Sequence, residues 1–196
     1  MSRTTLRELN GFDETPATLS GSTLILVDYQ NTYTRGVMEL DGWRDSLDAA
    51  AQLLARARRA GTKVVHVIND GGEGTPYDIR ADIGRIHPDL TPAAGEAVVV
   101  KHAPDSFHGT DLGDHIPQGQ DVVIAGWMTH MCVAFTAQGA FLRGNRPTVV
   151  ADACATRPLP LAGDPDGIPA QQLHASALAT VQDLYGVVVP TQEALK

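Results

Sequence analysis

The sequence predicts a three-layer α/β/α fold, doubly wound around a mainly parallel sheet of six strands. Three observations lead there. The strand candidates are continuous apolar runs rather than alternations, so both of their faces are covered. Helical patterns separate them, as βαβ units require. Right-handed crossovers between such units place helices on both sides of the sheet.

The elements follow in order. Residues 1–20 read as an arm leading into the fold. Residues 23–28 (TLILVD) form a strand that ends in a carboxylate. Residues 45–60 form an amphipathic helix, with Leu47, Ala50, Ala51, Leu53, Leu54 and Ala57 on its apolar side, and Gly61 stops it. Residues 62–68 are a second strand and 70–75 a glycine-rich loop. A third strand, 97–100, ends at Lys101. A fourth, 121–125, is broken by Gly126. From Cys132 onward, Val133, Phe135, Ala137, Ala140, Phe141 and Leu142 recur at helical spacing. A fifth strand covers 147–151. The loop 158–169, rich in Pro, Gly and Asp, is expected to be the most flexible segment. A helix over 171–185 and a strand over 186–189, closed by Pro190, complete a single domain spanning 1–196.

Composition bounds the function. The 196 residues suit one well-buried domain. A net charge of −8 argues against nucleic acid and anionic membranes as partners. No apolar run approaches the roughly 20 residues of a membrane span. The first ten residues are polar and unlike a secretory leader. The two cysteines, Cys132 and Cys154, do not make a disulfide framework. They read as free thiols of a reducing, cytoplasmic protein, with no metal and no cofactor expected.

Chemistry gathers where the strands end. In an open parallel sheet, ligands bind beyond the carboxyl ends of the strands, at the switch in strand order. Asp28, Lys101 and Cys132 all fall at such ends. If the first and fourth strands are neighbours, the three meet in one crevice. Cys132 also falls in the first turn of a helix, where free N–H groups and the helix dipole favour a thiolate. Together an acid, a cation and a thiol can carry out acyl transfer. Asp28 would move the proton, Lys101 would hold charge, and backbone N–H groups would receive the oxyanion. Each residue has a plainer reading: a turn cap for Asp28, a snorkelling surface cation for Lys101, packed core for Cys132. A single topology explains all three at once.

These residues lie in four ordered blocks: Leu26-Val27-Asp28-Tyr29-Gln30-Asn31; Gly61-Thr62-Lys63-Val64-Val65; Val100-Lys101 with Ser106-Phe107-His108-Gly109-Thr110-Asp111-Leu112; and Ala125-Gly126-Trp127-Met128-Thr129-His130-Met131-Cys132-Val133. Through them the chain, from Thr23 to Leu195, resembles the isochorismatase-like cysteine hydrolases, which include nicotinamidases and N-carbamoylsarcosine amidohydrolase. The resemblance implies a catalytic triad of Asp28, Lys101 and Cys132. It also implies a cis peptide at Trp127–Met128 and an oxyanion hole formed by the N–H groups of Met128 and Cys132. Gln30, Tyr33, Trp127, His130 and Phe107 are candidates for binding the substrate, and Gln30 could equally support the Asp28 loop. A homo-oligomer, dimer or tetramer, is implied as well.

One departure stands out. The Asp-x-His metal motif of nicotinamidases is replaced here by Asn69-Asp70-Gly71-Gly72-Glu73-Gly74. His102 and His108 read as structural or rim residues, and Cys154 as packing or a wall of the site.

Because the thiol is present, hydrolysis of an amide or lactam C–N bond through a thioester is expected. Residues 31–43 are similar to the streptothricin-hydrolase branch, whose ligand is strongly cationic. Glu39, Asp70, Glu73, Asp78 and Asp105 would supply an acidic rim for it. The alternatives are an isochorismatase-type ether hydrolase that does not need the thiol, and a non-catalytic scaffold of the same fold.

Overall fold

The structure, a computed structural model, describes residues 3–195; Met1, Ser2 and Lys196, at the ends of the expected arm and domain, lie outside them. In chain order the regular elements are α1 (Leu6–Leu9), β1 (Ser22–Val27), α2 (Trp43–Ala60), β2 (Lys63–Asn69), β3 (Ala97–Lys101), α3 (Leu112–His115) and β4 (Asp121–Trp127). They continue with α4 (Ala134–Leu142), β5 (Arg146–Ala155), β6 (Leu159–Leu161), β7 (Asp164–Ile168), α5 (Ala170–Thr180) and β8 (Val187–Val189). Six strands form one sheet in the order β3-β2-β1-β4-β5-β8. Every neighbouring pair in it is parallel. The order reverses between β1 and β4, so the crevice beyond their carboxyl ends is the switch point.

Burial explains the apolar strands. Leu24 and Leu26 of β1 pack on one face with Leu47, Ala50, Leu53, Leu54 and Ala57 of α2. Ile25 and Val27 alternate to the other face and meet Ala137 and Ala140 of α4 and Leu112 of α3. Helix α2 ends where the sequence indicates. Gly61 takes φ 70°, and the N–H of Thr62 reaches back to the Ala57 carbonyl at 3.0 Å. That is the left-handed cap a glycine provides without a Cβ penalty.

The structure departs from the expectations in four places. Gly126 does not break the fourth strand; β4 runs through it to Trp127. A Cβ at Gly126 would lie 2.3 Å from the Val27 carbonyl oxygen, so glycine is what lets β1 and β4 approach here. The fifth strand continues past 151 to Ala155, after a register shift opposite Ile124 and Gly126. The 158–169 connection is not irregular: β6 and β7 pair as an antiparallel hairpin within it. The helix expected over 171–185 is α over its first part only, and a π turn covers Val181–Tyr185. The arm that leads into the fold is held by side-chain bonds. Thr5 and Glu8 form a capping box at α1, and buried Arg7 donates to Glu14 Oε1 at 2.9 Å and to the Asp13 carbonyl at 2.6 Å.

One polar cluster away from the strand ends contributes to the acid stability. Glu96 accepts from Arg58 through two bonds of 2.8 Å, from the Ala93 N–H at 2.8 Å, and contacts Nε2 of buried His66 at 2.9 Å. The Arg58 bonds dominate and hold the Glu96 carboxyl down at about 2, against an ordinary 4.5. A depressed carboxyl stabilises the fold above its unfolded value, and that contribution is lost as pH falls from about 4.5 to about 2. Burial lowers His66, so the neutral ring also costs stability as pH drops below 6.5. Glu96→Gln should therefore lower stability at pH 7 by about 2 kcal/mol and flatten the acid limb below pH 4.5. Urea midpoints measured between pH 3 and 7 check this; an unchanged acid limb contradicts it.

Candidate active site

Asp28 follows β1 and is the sole non-glycine residue with a positive φ among the described residues, at 55°. Aspartate enters that region more readily than most residues. Its N–H still bonds the Val67 carbonyl at 2.9 Å, and its own carbonyl accepts the Gln30 N–H at 2.7 Å. This tight turn takes Asp28 out of the strand's alternation. Lys101 ends β3, one strand beyond β2, and its length spans the gap to Asp28. Cys132 follows β4, in a π turn over Thr129–Val133 that leads into α4. Because β1 and β4 are neighbours, the three residues meet.

Their geometry is close. Lys101 Nζ lies 2.8 Å from Asp28 Oδ2, 3.2 Å from Cys132 Sγ and 3.1 Å from the Ala103 carbonyl oxygen. The ammonium donates to the Ala103 carbonyl and to the Cys132 sulfur and forms an ion pair with Asp28. Asp28 and Lys101 are fully buried and Cys132 is 7% exposed. Burial raises the Asp28 carboxyl above its usual range, although Lys101 opposes this. Burial weakens the Lys101 ammonium, but the attraction of Asp28 and Cys132 outweighs it and the net shift is upward.

The thiol corrects an expectation. It was to be acidified by its place at a helix start. Burial, with the Asp28 charge beside it, instead pushes it well above the ordinary thiol value, and Lys101 offsets only part of this. Burial thus opposes ionisation of the thiol, and Lys101 favours it.

The peptide between Trp127 and Met128 is cis. The Met128 carbonyl accepts the N–H groups of Met131 and Val133.

Two of the five expected substrate contacts lie elsewhere. Trp127 is fully buried in the core on the α2 side, where Nε1 donates to Ser46 Oγ at 2.8 Å. Phe107 lies beneath the Arg143 guanidinium, 5.1 Å away, just past the C-terminal end of α4, whereas Cys132 precedes its start. The cause is the loop from Lys101, which runs down α4 through a Ser106–Thr136 bond of 2.7 Å and an Asp105 carboxyl packed against Gly139.

A third is a support rather than a contact. Buried Gln30 donates to the carbonyls of Asn69 (2.9 Å) and Gly84 (2.6 Å) and accepts from the Asn69 N–H at 2.9 Å, tying the β1 and β2 ends together.

Tyr33 and His130 have the following surroundings. Tyr33 is buried, 6.0 Å centroid to centroid from Trp127, and within reach of the Asp28 and Cys132 charges. His130 is half-buried, with Nδ1 2.5 Å from Thr156 Oγ1. It also lines a cavity of about 380 Å³ between α4 and α5.

The expected acidic rim is not assembled. Asp78 accepts Arg80 Nε at 2.7 Å, Asp70 lies 3.7 Å from the same guanidinium, Glu39 accepts from Trp43, and the Asp105 carboxyl packs against Gly139 of α4. Glu73 stays exposed beside Arg80. His102 bonds the Asp70 carbonyl at 2.8 Å, and His108 is exposed. Cys154 is buried, its thiol 3.2 Å from the Val150 carbonyl. Among the described residues, no three His, Cys, Asp or Glu side chains are grouped to hold a metal ion.

Two residues escaped the sequence reading. Tyr77, in the loop after β2, is within reach of the charges of Cys132, Asp28 and Arg157. Arg157 lies just past β5, close enough to oppose protonation of His130. Its Nε is buried and has no partner among the described residues. The signal that would have found it is the strand-end rule, applied to the true end of β5.

Fold and site define a three-layer α/β protein whose acid, lysine and cysteine converge at the switch point. The chain belongs to the isochorismatase family: the isochorismatase domain matches residues 22–193. It is similar to a crystal structure of an isochorismatase from Pseudomonas putida, with 35% identity, a TM-score of 0.92 and complete coverage of both chains. A streptothricin hydrolase from Streptomyces noursei is 35% identical over 157 residues, covering 79% of this chain and 62% of that one. A maleamate amidohydrolase from Pseudomonas putida is 30% identical over 211 residues, covering 95% and 88%. The family thus includes amidohydrolases. Among the described residues, no helix is long and apolar enough to cross a membrane.

Proposed function

We propose that the protein hydrolyses the C–N bond of a small amide through a Cys132 thioester, and that the substrate carries a carboxylate. The observation that supports this most is the buried Lys101 ammonium, within 3.2 Å of the Cys132 thiol and 2.8 Å of the Asp28 carboxylate. As sulfur attacks the carbonyl carbon, Asp28 takes the thiol proton and the carbonyl oxygen becomes an oxyanion. The N–H groups of Met128 and Cys132 receive it. Collapse breaks the C–N bond, and Asp28 returns the proton to the leaving nitrogen. Water then gives a proton to Asp28 and adds to the thioester. Breakage of the C–S bond releases the acid, and the proton goes back to sulfur. Lys101 stays charged throughout. An Asp28 carboxyl raised by burial suits a base that must also release its proton.

The carboxylate is argued from Arg157. The Arg157 Nε is buried without a hydrogen-bond partner among the described residues, a costly arrangement, and an anionic group drawn to this guanidinium would offset it. It favours such a substrate over a cationic lactam. Maleamate amidohydrolase, among the relatives, is named for an amide that carries a carboxylate.

Ether hydrolysis without the thiol is the second reading, supported by the likeness to an isochorismatase structure. One experiment separates them. Incubation with monoamides of short dicarboxylic acids, followed by intact-mass measurement, should reveal an acyl adduct on Cys132. Cys132→Ala should lose about 10³-fold or more in kcat. Arg157→Met should raise KM for the carboxylate-bearing amides by about tenfold or more while sparing neutral ones. Full turnover by Cys132→Ala rejects the thioester route. A homo-oligomer, dimer or tetramer, remains part of this proposal, and light scattering on the purified protein tests it.

A further inference from the structure

The turn that carries Cys132 is anchored from outside through its first two residues. Thr129 is 1% exposed, and its Oγ1 lies 2.9 Å from Nδ1 of His174 on α5. His130, the next residue, places its Nδ1 2.5 Å from Thr156 Oγ1, just past β5. Thr156 is itself fixed: it is buried, and its carbonyl accepts the Asp41 N–H at 2.9 Å. The turn is thus tied to two separate elements. Its internal closures are wide. The Met128 carbonyl takes the N–H of Met131 at 3.1 Å and that of Val133 at 3.2 Å, the latter across five residues. Such a π turn interrupts the regular α-helical ladder, so ties from outside weigh more in setting its position.

The bond between Thr129 and His174 is the more informative of the two. A buried hydroxyl needs a partner, and this one finds it 45 residues away in sequence. Burial lowers the His174 ring below the ordinary 6.5, so near pH 7 it is neutral and keeps one donor and one acceptor nitrogen. A hydroxyl both donates and accepts, so the bond forms with either tautomer. Met128 directly precedes Thr129, and Cys132 closely follows it in the same turn. Their N–H groups are the proposed receivers of the oxyanion, and the Cys132 sulfur stands 3.2 Å from Lys101. Whatever holds Thr129 in place holds all of these.

We infer that His174 is a positioning residue: through its bond to Thr129 it fixes the turn that presents the Cys132 thiol and the two oxyanion N–H groups. It acts from α5 and takes no part in the proton transfers. Oxyanion stabilisation is felt only in the transition state, so a loosened turn lowers kcat and leaves KM in place. This inference rests on the proposed C–N hydrolysis, and its test is built so that the two can fail separately.

Succinamate is the substrate for the first arm. His174→Leu keeps the half-buried helix position filled and removes the bond. It should lower kcat by about tenfold or more, with KM within about twofold. Thr129→Val, close in shape, should lose as much. The double variant should lose no more than either single one, since the same bond is broken in all three. His174→Asn puts an amide near the place of Nδ1, where it can donate or accept, and should bring kcat back to within about threefold of wild type. Losses that multiply in the double variant, a raised KM with kcat unchanged, or a His174→Asn protein as slow as His174→Leu overturn the inference. The second arm needs no turnover. Hydrogen exchange is read by mass spectrometry on the peptide that spans 128–133. It should be about tenfold faster in His174→Leu than in wild type, and near the wild-type rate in His174→Asn. Exchange unchanged in His174→Leu overturns the inference whatever the turnover. If succinamate is not hydrolysed but exchange follows the expected pattern, the hydrolase reading fails and the anchor stands. If succinamate is hydrolysed while His174→Leu leaves kcat unchanged, the anchor falls and the hydrolase reading stands.

Discussion

Lys101→Ala should bring turnover to background and, at neutral pH, cost about 3–5 kcal/mol of stability. Both losses have one origin. The ammonium lies 2.8 Å from Asp28 with both groups fully buried. Removing it strands a carboxylate away from water, so Asp28 must either stay as an uncompensated charge or take up a proton. Protonated, it can no longer accept the thiol proton. The thiol also loses the one neighbour that lowers its pKa, so alkylation of Cys132 near neutral pH should slow. A double replacement separates stability from chemistry. Asp28→Asn with Lys101→Met removes both charges and should recover most of the lost stability while activity stays at background. Chemical denaturation of the single and double variants, beside iodoacetamide rates, measures this. A Lys101→Ala protein as stable as wild type would show that the pair is not under strain of this kind.

Gly126→Ala should be the most damaging single-methyl insertion near the site. The new carbon would sit 2.3 Å from the Val27 carbonyl oxygen and 2.7 Å from the Val27 Cβ. Backbone cannot rotate away as a side chain can, so β1 and β4 must separate. The cost is about 3 kcal/mol, the upper end for overpacking a core. Because Asp28 follows Val27 and Cys132 follows β4, the separation also widens the gap between acid and thiol, and kcat should fall by more than tenfold. Gly61→Ala is the control. Its Cβ would meet open space, but its φ of 70° still disfavours a side chain. About 1 kcal/mol and unchanged kcat are expected there. Melting temperatures and steady-state rates of both variants check the contrast; similar losses for the two would contradict it.

The placement of Asp28, Lys101 and Cys132 was readable because it depends on topology alone. Apolar runs reveal parallel strands, and the residues that end those runs share one edge of the sheet. Trp127 and Phe107 were misplaced for a different reason. Nearness in sequence to the reactive residues says nothing about which side of the sheet a ring enters. The Ser46 hydroxyl draws the Trp127 indole into the α2 layer, and the descending loop carries Phe107 down α4. Arg157 was missed because β5 was ended at 151. Asp152, a charge inside an otherwise apolar stretch, reads as a stop, but its carboxylate is satisfied by the Gln192 N–H and the strand runs on. The thiol's acidity was misjudged because position in a helix is visible in sequence and depth of burial is not.

Lys101 rides on β3, one of the two edge strands of the sheet, paired on one side only. Val98 and Val100 beside it are 45% and 39% exposed. Outer strands fray before central ones, and each fraying event at β3 would carry the ammonium away from an otherwise intact crevice. The least protected edge of the sheet thereby becomes the weak point of the reaction centre. Heat would silence the protein while its core, between β1 and β5, remains folded.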